Sequence, residues 1–370
     1  MTGQQPDGGD RLPELGDRST GWRRLAPVAA LLLLAPWAAE CSWGGFAVGD
    51  MLLAVVVLAP MYGGAAVLIR EAARRSGGGW PMIVLLAAAF GVLQAGLVDQ
   101  SLFNPEFLAD TEFAERQAAD HTRVPVLGIS AQEAVGYLSN HVALSICAPI
   151  ALVESYLSPA RRRRPWLRLP GLLAVTVLYL LGSLLIFSDD GGRKGFQAST
   201  LQLAGAAVVV LALVAVAVLP RWRRRPPPAP AAPQAAPAAV PAAPSTAAAP
   251  STAAAPRARW PGLLVGGGYL GVALLSGWPG VAITIAVVAT VALVLARWSG
   301  RTGWGQRHVL ACAGAALLGA ATLAYLIPPY APASPVEALV SDVTISLVTV
   351  VLLGGAYARL RRHGETGATP

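Results

Sequence analysis

The stretch RRRRPWLRLPGLLAVTVLYLLGSLLIFSDD, residues 161–190, decides the fold class of this 370-residue chain. Arginines precede an apolar run of about 20 residues, which is the length of helix that crosses the hydrocarbon core of a bilayer. Backbone polar groups in lipid must be hydrogen-bonded within the segment, so the run is predicted to be a transmembrane helix. Short loops rich in arginine stay in the cytoplasm, so its basic end is predicted to lie inside.

The same pattern recurs along the whole chain. Apolar segments lie near 25–41, 49–69, 80–99, 133–157, 169–188, 199–220, 262–277, 279–297, 308–327 and 336–358. Of the 28 basic residues, 24 fall in every second gap or in the terminal tails; the exceptions are Arg116, Arg123, Arg193 and Lys194. The sequence therefore predicts an all-α, polytopic transmembrane helical bundle of about ten spans, with the N-terminus and C-terminus both cytoplasmic.

Composition supports a membrane protein and argues against a nucleic-acid partner. The chain is 55% hydrophobic and 13% charged, whereas soluble domains carry roughly 25% charged residues. The positive-inside bias accounts for the net charge of +8, so the expected partner is the lipid bilayer. Arginine outnumbers lysine 27 to 1, which is typical of a GC-rich genome and favours a bacterial plasma membrane.

Composition shifts also predict the domain organisation. The proline- and alanine-rich stretch containing APSTAAAPSTAAAP has no core-forming residues, so we expect a disordered tether there. The predicted parts are a disordered cytoplasmic N-terminus (1–24), a six-helix part (25–220) with an external loop (100–132), a disordered linker (221–260), a four-helix part (261–358) and a cytoplasmic tail (359–370). Within the acidic external loop, Asn104-Pro105-Glu106 predicts the start of a short surface helix.

Polar residues within the fourth span are the first candidates for a functional site. Their spacing of three and four residues predicts one shared helical face; they are Glu133, Tyr137, Asn140, His141 and Ser145. One interpretation is a face lining a cavity, with His141 binding a ligand or a proton. The other is hydrogen bonding between helices, which Asn and His provide in many membrane bundles.

Five further polar residues lie in or at the ends of other spans. Asp342 in the last span is at a depth similar to that of His141, so we expect the two to pair. An intramembrane carboxylate is costly unless it is paired or wetted. Gln94 and Asp99 lie near the end of the third span, and Glu40 and Asp50 flank the first external turn. Together these residues predict an acidic vestibule that opens outward.

No known catalytic or cofactor motif is present in the sequence. It contains no phosphate-binding GxxxxGK[ST] loop, no GxSxG elbow and no HExxH pair. Cys41, Cys147 and Cys312 have no spacing typical of a metal knuckle or a redox pair. No catalytic residue, metal site or cofactor is therefore predicted.

The segment GVLQAGLVDQSLFNP, residues 91–105, resembles uncharacterised polytopic membrane proteins of actinobacteria. Together with His141-x-x-x-Ser145, it also resembles the CAAX-protease and bacteriocin-processing membrane proteins. That resemblance implies a glutamate pair where this chain has Gln94-Ala95, and the following arginine is absent. If it reflects ancestry, it implies an intramembrane protease that has lost the groups that activate water.

Three functions are compatible with these patterns. The first is a non-enzymatic, transporter-like or ligand-binding bundle whose vestibule takes a small molecule or an ion. The second is an assembly or sensory membrane protein that binds a protein partner through the external loop and the linker. The third is the degenerate CAAX-protease-like protein.

Overall fold

The structure is a computed structural model, and it describes residues 20–189, 195–222 and 253–365. Most of the predicted N-terminal tail and linker, and the end of the C-terminal tail, lie outside these ranges. The regular secondary structure of the described chain is helical apart from one small antiparallel hairpin, β1 (Arg123–Val124) with β2 (Ile129–Ser130).

Twelve α-helices follow one another in the described chain. They are α1 (Thr20–Pro36, continued by a π-helical turn, Trp37–Cys41), α2 (Val48–Arg75), α3 (Trp80–Val98), α4 (Ala114–Ala118), α5 (Ala131–Ser155), α6 (Pro159–Arg163), α7 (Leu169–Ser188), α8 (Thr200–Ala217), α9 (Arg259–Ala273), α10 (Gly277–Ser299), α11 (Gln306–Ala324) and α12 (Pro335–Glu365). A short 3₁₀ turn, Pro220–Trp222, follows α8.

Eight of these helices are long and apolar enough to cross a membrane: α2, α3, α5, α7, α8, α10, α11 and α12. Each of the ten predicted segments is helical. The apolar part of α1, Leu25–Cys41, is shorter than the usual span, and α9 has only 15 residues. Gly277 has a φ of +69° in the tight connection between α9 and α10, which glycine adopts without steric cost.

Helix α5 is at the centre of the bundle because it is apolar on two faces. Ile146, Ile150 and Val153 pack with α1, α2 and α3 in one hydrophobic cluster. Leu144 and Leu152 pack with α11 and α12 in a second cluster. All residues of its C-terminal part, Ala148–Ser155, are buried. The predicted six-helix and four-helix parts thus share a core along α5.

Helices α7, α8 and α10 form the periphery. Only 11% of the apolar window of each is buried in the protein. Leucines such as Leu180, Leu211 and Leu293 are more than half exposed on them. Apolar surface of this extent is unfavourable in water but matches the hydrocarbon of a bilayer.

A network of buried charges joins α2 to α5 at the opposite end from the long loop 99–130. Glu154 accepts hydrogen bonds from Arg74 at 2.7 and 2.9 Å and from Arg70 at 3.2 Å. Glu71 pairs with Arg70 at 2.8 Å and with Arg75 at 3.4 Å. Both glutamates are therefore held in ion pairs with arginines of α2.

The helix predicted at Asn104 is wrong. The Asn104 side chain accepts a hydrogen bond from the Glu106 backbone at 3.0 Å, which closes a local turn. The preceding Gln100 has a φ of +55° and reverses the chain after α3. The only helix in this loop is α4, ten residues further on. The Asn-Pro-Glu pattern marks a turn here because Asx turns and helix caps use the same side-chain chemistry.

Candidate functional site

The polar face of α5 begins at a well-formed cap. Ser130 ends β2, and its hydroxyl accepts a hydrogen bond from the Glu133 backbone at 3.1 Å. The hairpin therefore fixes where α5 starts, and with it the direction of the side chains one and two turns later. This local geometry places Glu133, Tyr137 and Asn140 in sequence along one side of the helix.

Irregular turns distinguish the helices that surround this face. Four stretches have the wider π-helical geometry: Trp37–Cys41, Ala59–Gly63, Gln94–Val98 and His141–Cys147. In a π turn some of the regular backbone hydrogen bonds of the α-helix are missing. Such turns are often found at functional sites. The polar or aromatic side chains on these turns include Glu40, Tyr62, Gln94 and His141.

Glu40 connects three of the surrounding segments. The Tyr62 hydroxyl donates to one of its carboxylate oxygens at 2.5 Å. The Tyr330 hydroxyl, from the loop between α11 and α12, donates to the other at 3.4 Å. Burial, followed by the charge of Glu40, raises the pKa of Tyr330 well above its usual value. The Tyr330 hydroxyl therefore keeps its proton and acts as a donor to the carboxylate.

His141 lies next to this group in an aromatic environment. Its ring centroid is 5.9 Å from that of Tyr62 and 5.6 Å from that of Phe90. Its Nδ1 atom is 3.2 Å from the Ser145 hydroxyl, one turn further along the same helix. A methyl group added at Gly91 on α3 would lie 3.1 Å from the His141 Cβ atom, so the absence of a side chain there lets the two helices approach.

A cavity of about 540 Å³ opens beside Glu40 and His141; we call it the His141 cavity. Its lining includes Glu40, Trp43, Phe113, Arg116, Glu133, Gly136, Tyr137, Asn140, His141, Ser145 and Tyr330. The loop residues in this lining come from the connections after α1, α3, α9 and α11, which are the connections expected on the external side. All five polar residues predicted on the fourth span thus line one cavity.

Gln94 and Asp99 lie close to this cavity but outside its lining. The Gln94 side-chain nitrogen donates to Asp99 at 3.1 Å, and the Ser101 backbone donates to the other carboxylate oxygen at 2.9 Å. The charge of Asp99 acts on Tyr330 and Glu40. These two predicted residues therefore contribute to the electrostatic environment rather than to the cavity wall.

Asp342 lies elsewhere. It lines a second cavity of about 340 Å³ with Gly44, Glu112 and Ser341, which we call the Asp342 cavity. The predicted His141–Asp342 pair is therefore not formed: the polar partner of His141 is Ser145. Equal depth along two helices does not determine which way each side chain points. The rotation of α12 about its axis is set by packing, and it directs Asp342 to a different opening.

Sequence reasoning missed several aromatic residues of the site. Tyr62 and Tyr330 hold Glu40, and the Tyr269 hydroxyl donates to Asn140 at 3.4 Å. The Pro60 and Gly63-Gly64 bend was a usable signal for Tyr62, because an interrupted helix often marks a site. Nothing local identifies Tyr330 or Tyr269, whose partners are 290 and 129 residues away in sequence.

Within the described residues, His, Cys, Asp and Glu form no group of three or more that could hold a metal ion. Comparison with protein-family models, with curated proteins and with solved structures finds no match to this chain. The site must therefore be interpreted from its own geometry.

Proposed function

We propose that this protein is a non-enzymatic, multi-pass protein of the bacterial plasma membrane that binds a small polar molecule in the His141 cavity from the external side. Binding there serves transport or ligand sensing across the bundle. The proposed topology has ten spans, with α1 and α9 as the two short ones, and both termini in the cytoplasm.

This proposal depends on one observation: irregular turns of several helices lie at one polar cavity. Two π-helical turns place Glu40 and His141 in the wall of a space of about 540 Å³, and a third carries Tyr62, whose hydroxyl donates to Glu40. Non-helical backbone at membrane depth is tolerated where it is buried in protein or lines a cavity. Ligand pockets in proteins have volumes of about 300–1,000 Å³ and combine apolar walls with a few polar groups.

The distribution of charge supports the orientation. The loops around the cavity include the external loop 100–132, which carries more acidic than basic residues, whereas the arginine-rich segments lie at the opposite ends of the helices. The buried Arg70–Glu154–Arg74 network is also at that opposite end. Under the positive-inside rule, the cavity then opens outward.

Filling the cavity tests the proposal. Gly136 lines the cavity, and an added Cβ would meet nothing within 4 Å. Gly136→Phe should therefore occupy the space without disturbing the packing. Gly205 on α8 is also exposed, with nothing within 4 Å of an added Cβ, so Gly205→Phe is a matched control.

The measurement is a thermal-shift screen of small polar molecules (amines, amino acids, sugars and carboxylic acids) against the purified wild type and both variants. At least one compound should stabilise the wild type and Gly205→Phe but not Gly136→Phe. Equal stabilisation of all three proteins, or no stabilising compound at all, would contradict a ligand site in this cavity.

A further inference from the structure

The charge balance of the His141 cavity indicates which ligand it would take; this inference rests on the proposed function. Three carboxylates line the cavity, Glu40, Asp120 and Glu133, against one guanidinium, that of Arg116. His121 and His141 are the two histidines in the lining. Carboxyl groups therefore outnumber guanidinium groups in the cavity wall by three to one.

The deeper carboxylates are held only by neutral donors. Glu40 is bonded to two tyrosine hydroxyls, and Glu133 accepts from the Gln117 side chain at 3.5 Å. Among the ion pairs of the described residues, none involves Glu40, Glu133 or the nearby Asp99. A carboxylate away from water is stabilised by an opposite charge more than by neutral dipoles. The arrangement is therefore incomplete without a cation.

Tyr137 provides a second, independent sign of a missing ligand group. Its hydroxyl is buried and has no hydrogen-bond partner among the residues that the structure describes, although its side chain lines the cavity. Glu133, one turn earlier on α5, and Glu40 line the same cavity. A phenol oxygen accepts a hydrogen bond from an N–H group. A ligand ammonium between these carboxylates would supply that bond.

Aromatic rings form the rest of the wall. The rings of Trp43, Phe113 and Tyr330 lie in mutual contact, with centroids 6.2, 5.3 and 5.6 Å apart. The guanidinium carbon of Arg116 is 5.5 Å from the Phe113 centroid, so a cation of the chain itself already lies against this cluster. Aromatic faces attract cations electrostatically, and ammonium groups are bound in this way in other aromatic sites.

We propose that the ligand of the His141 cavity is a small organic cation bearing an ammonium group. Glu40 and Glu133 act as its counter-charges, the Tyr137 oxygen accepts an N–H bond from it, and Trp43, Phe113 and Tyr330 contact its charged end.

Three probes of similar shape and different charge test the inference: phenethylammonium, 2-phenylethanol and phenylacetate. Their binding to the purified full-length protein in lipid nanodiscs is measured by isothermal titration calorimetry. Phenethylammonium should bind at least about tenfold more tightly than the neutral and anionic probes. Binding should be lost in Gly136→Phe, which fills the cavity, and retained in Gly205→Phe.

Variants that neutralise Glu40 or Glu133 test the proposed counter-charges. Glu40→Gln keeps the shape and the acceptor oxygen of Glu40, and Glu133→Gln does the same at a position nearer the solvent. Each should weaken phenethylammonium binding by about tenfold or more, which corresponds to about 1.4 kcal/mol. Asp50→Asn, which removes an exposed carboxylate outside the cavity lining, should leave it unchanged.

The outcomes separate this inference from the proposed function. If 2-phenylethanol or phenylacetate binds in the cavity as tightly as the ammonium probe, the ligand is not a cation, while the ligand-binding function stands. If phenethylammonium affinity is unchanged in both folded glutamine variants, the counter-charge assignment is overturned. If the ammonium probe does not bind at all, the inference fails, and the wider screen with Gly136→Phe then decides the proposed function separately.

Discussion

The ligand role proposed for Tyr137 has a consequence for stability. Within the described part of the chain its buried hydroxyl has no partner, and an unsatisfied buried polar group costs about 1–3 kcal/mol. Tyr137→Phe should therefore raise the free energy of unfolding by about 1 kcal/mol while weakening ligand binding. Thermal unfolding and ligand titration of the same preparation measure both effects.

A second tyrosine provides the control for that prediction. The Tyr156 hydroxyl donates to the Leu352 backbone at 2.6 Å, so Tyr156→Phe loses a made hydrogen bond. This variant should be less stable than the wild type by about 1 kcal/mol. If Tyr137→Phe destabilises as much as Tyr156→Phe does, the Tyr137 hydroxyl has a structural partner and its proposed role is wrong.

Glu154 illustrates a buried residue with a structural role. It compensates Arg70 and Arg74, and all three side chains are almost fully buried. Removing one partner of a buried ion pair costs about 3–5 kcal/mol, because the remaining charge is left uncompensated. Glu154→Gln should lower the free energy of unfolding by an amount in this range, measured by denaturant titration in micelles.

The exposed Glu106 serves as the comparison. Glu106→Gln should change the unfolding free energy by less than about 0.5 kcal/mol. Equal stability of the Glu154 and Glu106 variants would show that solvent reaches the arginine network.

At the residue scale, the sequence predicted part of the site. The spacing of Glu133, Tyr137 and His141 places them on one helical face, and they do line one cavity. The predicted pairing of His141 with Asp342 was wrong, because side-chain contact between two helices depends on which helices are neighbours and how each is rotated. The tyrosines that hold Glu40 were missed for the same reason.

At the scale of elements, Gly63 determines how closely α1 and α2 can approach. A Cβ atom at this position would overlap the backbone of Leu32 on α1, including its carbonyl oxygen. Backbone cannot move aside as a flexible side chain can, so Gly63→Ala should separate the two helices. The expected result is a loss of about 1–3 kcal/mol in unfolding free energy, as for overpacking elsewhere.

Gly267 on α9 is the matched control, since nothing lies within 4 Å of its added Cβ. Gly267→Ala should be neutral or stabilise the protein by up to about 1 kcal/mol through helix propensity. Thermal unfolding of both variants makes the comparison, and a neutral Gly63→Ala would contradict the close approach of α1 and α2.

The secondary-structure elements were easier to predict from the sequence than the site residues or the helix packing. All ten predicted segments are helical, because long apolar runs in lipid leave the backbone no alternative. The π-helical turns were not predictable, because they form where tertiary packing and polar side chains compete with the regular backbone hydrogen bonds of the α-helix. Pro36, Pro60 and Pro149 lie within or close to three of them, whereas Gln94–Val98 has no proline as a local signal.

At the scale of the whole molecule, the arginine distribution predicts topology. A fluorescent protein fused after Pro370 should fluoresce, because it folds in the cytoplasm, whereas alkaline phosphatase at the same site should be inactive. Phosphatase inserted after Asp110 in the external loop should be active. The reverse pattern of activities would contradict the proposed orientation.

How the parts of the chain pack together could not be read from the sequence. The proline- and alanine-rich stretch suggested two separate groups of helices, yet Leu144 and Leu152 on α5 pack with Leu317 on α11. Apolar residues around most of α5 are compatible with many neighbours. Only the three-dimensional arrangement selects α11 and α12 among them.

The most direct test of the outward-facing cavity is the accessibility of a single cysteine within it. Gly136→Cys, with Cys41, Cys147 and Cys312 replaced by alanine, is treated in intact cells with a membrane-impermeant methanethiosulfonate. Ser299→Cys, exposed at the predicted cytoplasmic end of α10, is the control. We predict labelling at 136 but not at 299 until the membrane is permeabilised. Labelling at 299 and not at 136 would show that the cavity does not open outward.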